Sequence, residues 1–284
     1  MKKIGIIILC LILMSVTLAG SQNIVQQTNN QLKETQNTSL LTNEDHTVFA
    51  EYATTTWCPN CPDASAALYG LYQSTTQPFV YVTLVSDKNE NAKQRSWYGY
   101  QNVAIPSVYF DGGYQNFIGS AGSISATKNE YQHLLQESNN REKIKDISVQ
   151  TSATWNGDAE ISVQVHITNH ESVPYIGILK TYITEIISRW NDYSQEPYHY
   201  GFLDFAINQP ILLMPQKTKT LTAQWDGKED HNGISFPDLL QNNTMIATSV
   251  SHIIPHYHKG YETSQFTQHY FGFYVDQADS CIPE

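Results

Sequence analysis

The sequence predicts an α/β domain followed by an all-β sandwich, and three observations predict it. Between residues 46 and 140, β-branched and aromatic runs alternate with segments whose apolar residues recur at helical spacing. From residue 147 onward period-two alternation takes over, interrupted by an Asn-Gly pair at 156 and 157. The composition changes between these regions, at "NNREKIKD". A chain of 284 residues is long enough for two domains of ordinary size.

The expected organisation has four parts: a leader (1–20), a polar tether (21–45), an α/β domain (46–142) and a β-sandwich (143–284). The leader opens on "MKK", runs through a largely apolar stretch of 16 residues and ends in small residues at Ala19 and Gly20, the build of a secretory signal. A membrane span needs about 20 apolar residues, so cleavage is expected; left uncleaved, the leader would tether the chain to a membrane. The expected location is extracytoplasmic, secreted or held at the cell envelope. Residues 21–45 are dominated by Gln, Asn, Thr and Ser and cannot bury enough apolar surface to offset their ordering entropy.

Charge narrows the partners. The formal net charge of −11 becomes −13 once Lys2 and Lys3 leave with the leader, and the remaining basic residues are scattered. Nucleic-acid binding relies on clustered Lys and Arg, so it is disfavoured and no nucleic-acid partner is expected.

In the first domain "TVFAEYA" (47–53) reads as a buried strand, followed by a helix on which Ala64, Ala67, Leu68 and Leu71 share a face. "FVYVTLV" (79–85) is a second strand, and Asp87 and Glu90 stand at capping-box spacing before a second helix. "IPSVYFDGGYQNFIG" predicts a strand, an Asp-Gly-Gly turn and a returning strand; Thr127 and Glu130 mark a closing helix. The order is β-α-β-α-β-β-α. In the second domain a hairpin turning at Asn156-Gly157 is followed by strands at 175–187, 211–224, 244–254 and 267–275. Roughly seven strands in ~140 residues suggest a sandwich of immunoglobulin-like type.

The chemistry concentrates in "TTTWCPNCPDASAALYG". After the leader and its Cys10 are gone, Cys58, Cys61 and Cys281 remain. Three readings of the Cys58–Cys61 pair stay open: a redox centre, a passive staple, or half of a metal site. A cysteine at a helix start has its thiolate stabilised by unpaired amides and the positive end of the helix dipole, which makes Cys58 the expected exposed attacker and Cys61 the sheltered resolver. Pro59 suits a first-turn position. Zinc usually takes four Cys or His ligands, and no second CxxC is present, so no metal is assigned there.

With these motifs in hand, residues 46–142 resemble the thioredoxin fold: a strand ending in Trp-Cys-x-x-Cys, a helix behind it, Ile105-Pro106 opening a hairpin, and Gly119 after it. The resemblance implies that Pro106 is cis and packs on the disulfide, that Ile105 pairs with a bound thiol substrate, and that Trp57 belongs to the active surface. It also implies a buried acid six residues before the first cysteine. Tyr52 occupies that position, so Glu51 takes the role if Thr54–Thr56 contain a one-residue insertion. The whole layout is similar to exported bacterial outer-membrane and surface proteins that join such a domain to a β-sandwich, through "EYATTTWCPNCP" and, loosely, "PYHYGFLDF".

The resulting expectation is an exported thiol–disulfide oxidoreductase. Cys58, Cys61 and Glu51 would be catalytic, and Trp57, Ile105 and Pro106 would bind substrate. Protein thiols or disulfides and a redox partner would be its partners, with no cofactor beyond the cysteines. Two alternatives stand beside it: a non-catalytic surface-interaction protein, and a copper-handling protein using the thiolates with His252, His256 and His258. Cys281, next to polar "DQADS", is expected on a mobile tail, either free or bridged to another chain or across the domains.

Overall fold

The first strand, β1 (Val48–Thr54), is buried at all seven positions, as an apolar run placed centrally in a sheet must be. The structure, a computed structural model, describes residues 46–142, 144–263 and 267–284. The leader and tether lie outside the described residues. After β1 come α1 (Cys61–Ser74), β2 (Phe79–Val85), α2 (Glu90–Tyr100), β3 (Ser107–Phe110), β4 (Gln115–Ile118) and α3 (Ile124–Asn139). Nine strands follow: β5 (Ile147–Gly157), β6 (Glu160–Asn169), β7 (Tyr175–Asn191), β8 (Pro197–Leu213), β9 (Lys217–Asp226), β10 (Thr244–His252), β11 (His256–Glu262), β12 (Thr267–Gly272) and β13 (Val275–Cys281).

The pairing overturns the expected fold class. β2 lies parallel to β1, and β1 pairs antiparallel with β3. On its other side β2 meets β8 in parallel, with Thr83 opposite Gly201. The result is one mixed sheet of eight strands in the order β13-β10-β7-β8-β2-β1-β3-β4. Strand accounts for 49% and helix for 19%, with three helices among the described residues. A thioredoxin-like α/β domain followed by a separate immunoglobulin-like sandwich is therefore not what forms. The physical reason is the open edge of β2, which is covered by a strand more than a hundred residues downstream and joined to it in register at one pair, Thr83 and Gly201.

Side chains close this seam. Thr83 donates its hydroxyl to the His199 carbonyl at 2.7 Å, and Asn89 donates to the carbonyls of Phe202 and Leu203 at 2.9 and 2.7 Å. One apolar core then runs from Phe49, Tyr81 and Leu68 through Tyr182, Tyr198 and Phe202 to Met245 and Ala278. A three-stranded sheet, β5-β6-β9, covers the far half of the large sheet, packing Ile161, Val163 and Val165 against Leu179, Ile207 and Val250. β11 and β12 form a separate hairpin ribbon.

Local chemistry corrects several boundaries. Asn89, not Asp87, caps α2, accepting from the Ala92 amide at 3.2 Å. Ser123 caps α3 by accepting from Ala126, so that helix begins three residues before Thr127. The β5–β6 turn sits at Asp158 and Ala159, both at positive φ, two residues past the Asn-Gly pair. At the β3–β4 turn, Asp111, Gly112 and Gly113 all have positive φ, and Gly112 packs directly on the Phe273 carbonyl, where no side chain fits.

Asp111 is a structural hub as well as a turn residue. Fully buried, it accepts from the Phe49 amide at 3.1 Å and pairs with His46 at 2.7 Å. Arg141 lies 3.6 Å from Asp111 and 3.9 Å from Asp276 on β13. Asp276 in turn accepts from Tyr175 and from His252, each at 2.9 Å. The segment expected to be a mobile tail carrying Cys281 is thus a sheet strand whose acid is buried in this network.

Candidate functional site

β1 delivers the chain to the cysteine loop, and the sheet holds that loop at several points. Tyr198 on β8 donates to the Thr55 carbonyl at 3.0 Å, and the Thr54 hydroxyl donates to the Tyr198 oxygen at 2.8 Å. The Thr56 amide and hydroxyl both donate to Asp87, at 2.9 and 2.6 Å. A turn closes as the Cys61 amide donates to the Cys58 carbonyl at 3.2 Å, and α1 begins at Cys61. Pro62, rather than Pro59, occupies the first helical turn, where its missing N–H costs nothing.

Cys58 and Cys61 form a disulfide with their Cα atoms 5.4 Å apart. The expected exposed attacker is not seen in this oxidised state: Cys58 is 2% exposed and Cys61 is fully buried. The neighbours Trp57, Pro59 and Asn60 are exposed around it, Trp57 at 63%. The sulfurs therefore lie just below a surface formed by their own loop. Trp57, Asp87, Asn89, Lys93 and Ile234 line an open groove of about 550 Å³ beside it.

Ile105–Pro106 is a cis peptide. Ser107 stands opposite Ala53 in the β1–β3 register, so Pro106 lies alongside the end of β1 where the chain leaves for Cys58. Pro106 is buried and Ile105 half-buried. The structure thus brings Cys58, Cys61, Trp57 and the Ile105–Pro106 pair to one end of the sheet.

Glu51 does not join them. Adjacent residues on a strand face opposite ways. Tyr52 points toward α1, where its hydroxyl donates to the Cys61 carbonyl at 3.0 Å. Glu51 faces α2 and β7, where Arg95 binds it through Nε at 2.7 Å, with Tyr100 and Tyr182 also donating. Burial alone would raise the Glu51 pKa, but the Arg95 charge and hydrogen bonds hold it below the usual value. Burial drives the Tyr52 pKa well up, so the phenol stays protonated as a donor.

The opposite face holds a residue that belongs to none of the sequence motifs. Lys180 on β7 is half-buried beside Glu51 and Arg95, and burial, then the Arg95 charge, lowers its pKa to about 7. It opens onto a groove of about 460 Å³ with Tyr98, Ile178, Asn208, Phe271 and Phe273. The sequence did carry a signal for it: a lone lysine inside the apolar run "YIGILKTYITEII".

The two other candidates separate. Cys281 ends β13 opposite Ile246, and burial raises its thiol pKa to about 12. His252 lies at the other end of β10, ~20 Å along the strand at ~3.4 Å per residue. The histidines form their own cluster. His252 and His256 meet through their Nε2 atoms at 3.0 Å, and His258 Nε2 contacts the Tyr274 hydroxyl at 2.7 Å. Burial lowers the pKa of both His256 and His258, with the His252 charge a further cause at His256. The copper alternative built on thiolates plus histidines is not assembled, because Cys58 and Cys61 are in a disulfide and Cys281 is remote.

No family model and no curated protein matches the chain. Among solved structures, HBP35 of Porphyromonas gingivalis superposes with a TM-score of 0.61 at 10% identity, covering 84% of this chain and 76% of that one. A protein from Agrobacterium tumefaciens covers 86% of this chain and 97% of its own at 12% identity, with a TM-score of 0.46. At 10% identity the likeness to HBP35 is one of fold. It extends over most of the chain rather than one half of it, which agrees with a sheet that runs through both.

Proposed function

We propose that the chain is an exported protein that exchanges its Cys58–Cys61 disulfide with protein thiols. The observation that carries this reading is a lone CxxC disulfide at the start of α1, with Ile105–Pro106 beside it at the end of β1. A substrate thiolate attacks Cys58 Sγ, the Cys58–Cys61 bond breaks, and a mixed disulfide forms while Cys61 leaves as a thiolate. A second substrate thiol then attacks the substrate sulfur of the mixed disulfide. This releases an oxidised substrate and the reduced pair, so two electrons pass to the protein; the reverse sequence reduces a substrate. The open amides at the start of α1 favour the thiolate forms, and the groove beside Trp57 offers a place for a partner chain. The leader is the support for export, and protein thiols or disulfides are the partners.

A second reading rests on a specific observation. Both sulfurs are covered, and Tyr52 stands where an acid would accept the resolving proton. These features favour a closed clip in a surface-interaction protein. One experiment separates the two. Cys61→Ala is reacted with disulfide-bearing peptides and mixed disulfides are sought by mass spectrometry, while the wild-type pair is titrated in glutathione buffers. Trapped adducts and a potential within the glutathione range support exchange. No adducts, with a pair that stays oxidised in millimolar glutathione, support the clip.

A further inference from the structure

We propose that the groove on the Glu51 side of the sheet binds a small aromatic carboxylate, with its carboxyl group on the Lys180 ammonium. Charge is the first observation. The chain has 27 acidic residues against 16 basic ones. Yet among the described residues no Asp or Glu lines this groove of about 460 Å³, and its two formal charges, Arg95 and Lys180, are both positive. The adjoining recess of about 360 Å³, shared by Arg95, Lys180 and Asn208, has no acid either. The Asn208 amide adds a neutral donor.

The two cations are not equivalent. Arg95 is committed: it donates to both oxygens of Glu51 and to the Tyr100 hydroxyl. Lys180 has no hydrogen-bonded acceptor among the described residues, because the Glu51 oxygens beside it already serve Arg95, Tyr100 and Tyr182. Burial and then the Arg95 charge lower its pKa to about 7, against an opposing pull from Glu51. An arriving carboxylate supplies the missing acceptor and counter-charge, so binding returns the proton to the lysine. The groups facing Lys180 are Glu51 on β1, Arg95 and Tyr100 on α2, Tyr182 on β7 and Tyr270 on β12. Glu51 is held below its ordinary pKa, and burial raises those of Tyr100, Tyr182 and Tyr270. These residues keep their charge between pH 6 and pH 9, and Lys180 changes its own.

The walls fit an apolar body. Ile178 shares a strand face with Lys180, and Tyr98 and Phe271 border the groove at 79% and 55% exposure. Aromatic rings accessible beside a cation favour a ligand that carries a ring of its own. Behind the lysine, toward Tyr182 and Ser249, the space shrinks to about 20 Å³, room for a water and no more. The carboxyl group therefore stops at Lys180 and the ring lies outward along the groove.

The test titrates the full mature chain with phenylpropionate by calorimetry, with phenylpropionamide as the uncharged probe of the same shape. The disulfide stays intact, so the outcome does not depend on the exchange chemistry. A lysine with a pKa near 7 is about 90% charged at pH 6 and about 1% at pH 9. One acid per chain is expected, bound at least tenfold more tightly at pH 6 than at pH 9. At pH 8, two buffers of different ionisation heat should report uptake of roughly one proton per ligand. The amide should bind at least tenfold more weakly than the acid at pH 6. Lys180→Met should fall to the amide's affinity and lose the pH dependence with its thermal melt retained. Phe271→Ser, at an exposed position, should weaken binding several-fold and keep the pH dependence. Equal binding of acid and amide, an affinity that is flat with pH, binding unchanged in Lys180→Met, or no saturable binding at millimolar acid would overturn the assignment.

Discussion

Lys180→Met is the sharpest test of how the fused sheet treats charge. The Lys180 side chain lies beside Glu51, whose charge partly offsets the burial, but both oxygens of Glu51 already accept from Arg95, Tyr100 and Tyr182. Burial and the Arg95 charge bring the lysine pKa from an ordinary 10.5 to about 7. Folding thus disfavours the charged form. Below pH 7 the lysine is protonated in both states and the cost is complete. Between pH 7 and 10.5 the unfolded chain binds the extra proton, so stability rises with pH. At ~1.4 kcal/mol per pH unit, the full penalty is about 4–5 kcal/mol at pH 6 and about 2 kcal/mol at pH 9. The wild type should therefore gain about 2–3 kcal/mol between these pH values that the methionine variant does not. Methionine keeps the aliphatic packing of the lysine stem and leaves the Glu51–Arg95 pair intact. Urea unfolding of both proteins at pH 6 and pH 9 measures the difference directly, with all other titrations common to the pair. A stability gap between variant and wild type that is the same at both pH values, or a variant less stable at pH 6, would refute the reasoning.

Two further outcomes test the cysteine loop and the seam. In Asp87→Ala the Thr56 amide and hydroxyl lose their acceptor, a loss of ~1–2 kcal/mol of local hydrogen bonding. If attack on the disulfide waits on opening of residues 55–60, reduction by dithiothreitol should then run roughly 5–30 times faster; an unchanged rate would show that the sulfurs are reached another way. Asn89→Ala removes the cap of α2 and orphans two buried carbonyls on β8, with an expected cost of roughly 2–4 kcal/mol in urea unfolding. A cost near zero would mean that neither the cap nor the seam depends on that side chain.

The sequence was most legible where local pattern and local structure coincide. β1, α1, β2 and the β3–β4 hairpin follow from apolar runs, helical spacing and an Asp-Gly-Gly turn. Capping was misjudged where the nominal cap had a better partner elsewhere, as when Asp87 is taken by Thr56 and the role falls to Asn89. β8 was hidden because Pro210 and the positive φ of Tyr200 lie within it, and because its register against β7 shifts at three points. Such bulges break period-two alternation. The acidic and amide residues of β13 looked like a solvated tail, yet Asp276 serves Tyr175 and His252 while Gln277 accepts from the Thr47 amide. Glu51 shows the limit most sharply. A one-residue change of register moves a strand residue to the other face of the sheet, and the sequence carries no mark of which face α1 or α2 would take. The disulfide and its proline were readable because both are local motifs; their burial depends on long-range packing.

The seam between β2 and β8 also determines whether the first 97 described residues can stand alone. Tyr182, Tyr198, Tyr200 and Phe202 are at most 8% exposed and belong to the core that contains Phe49, Tyr81 and Leu68. At about 1.5–3 kcal/mol per large buried side chain, removing the second half strips roughly 6–12 kcal/mol from that core. That is comparable with the whole stability of an ordinary domain, ~5–15 kcal/mol. The cut also uncovers the open edge of β2 and takes away the Tyr198 hydroxyl that holds Thr54 and Thr55 beneath the cysteine loop. A fragment of residues 46–142 should therefore lack a cooperative melt, bind hydrophobic dye, and lose protection of its disulfide against dithiothreitol. Adding the 143–284 fragment should restore near-ultraviolet circular dichroism if the two pieces rebuild the sheet. A sharp, reversible melt of the 46–142 fragment alone would show that β2 does not need β8. The disulfide would then belong to a self-sufficient unit, and the second half would contribute nothing to its chemistry.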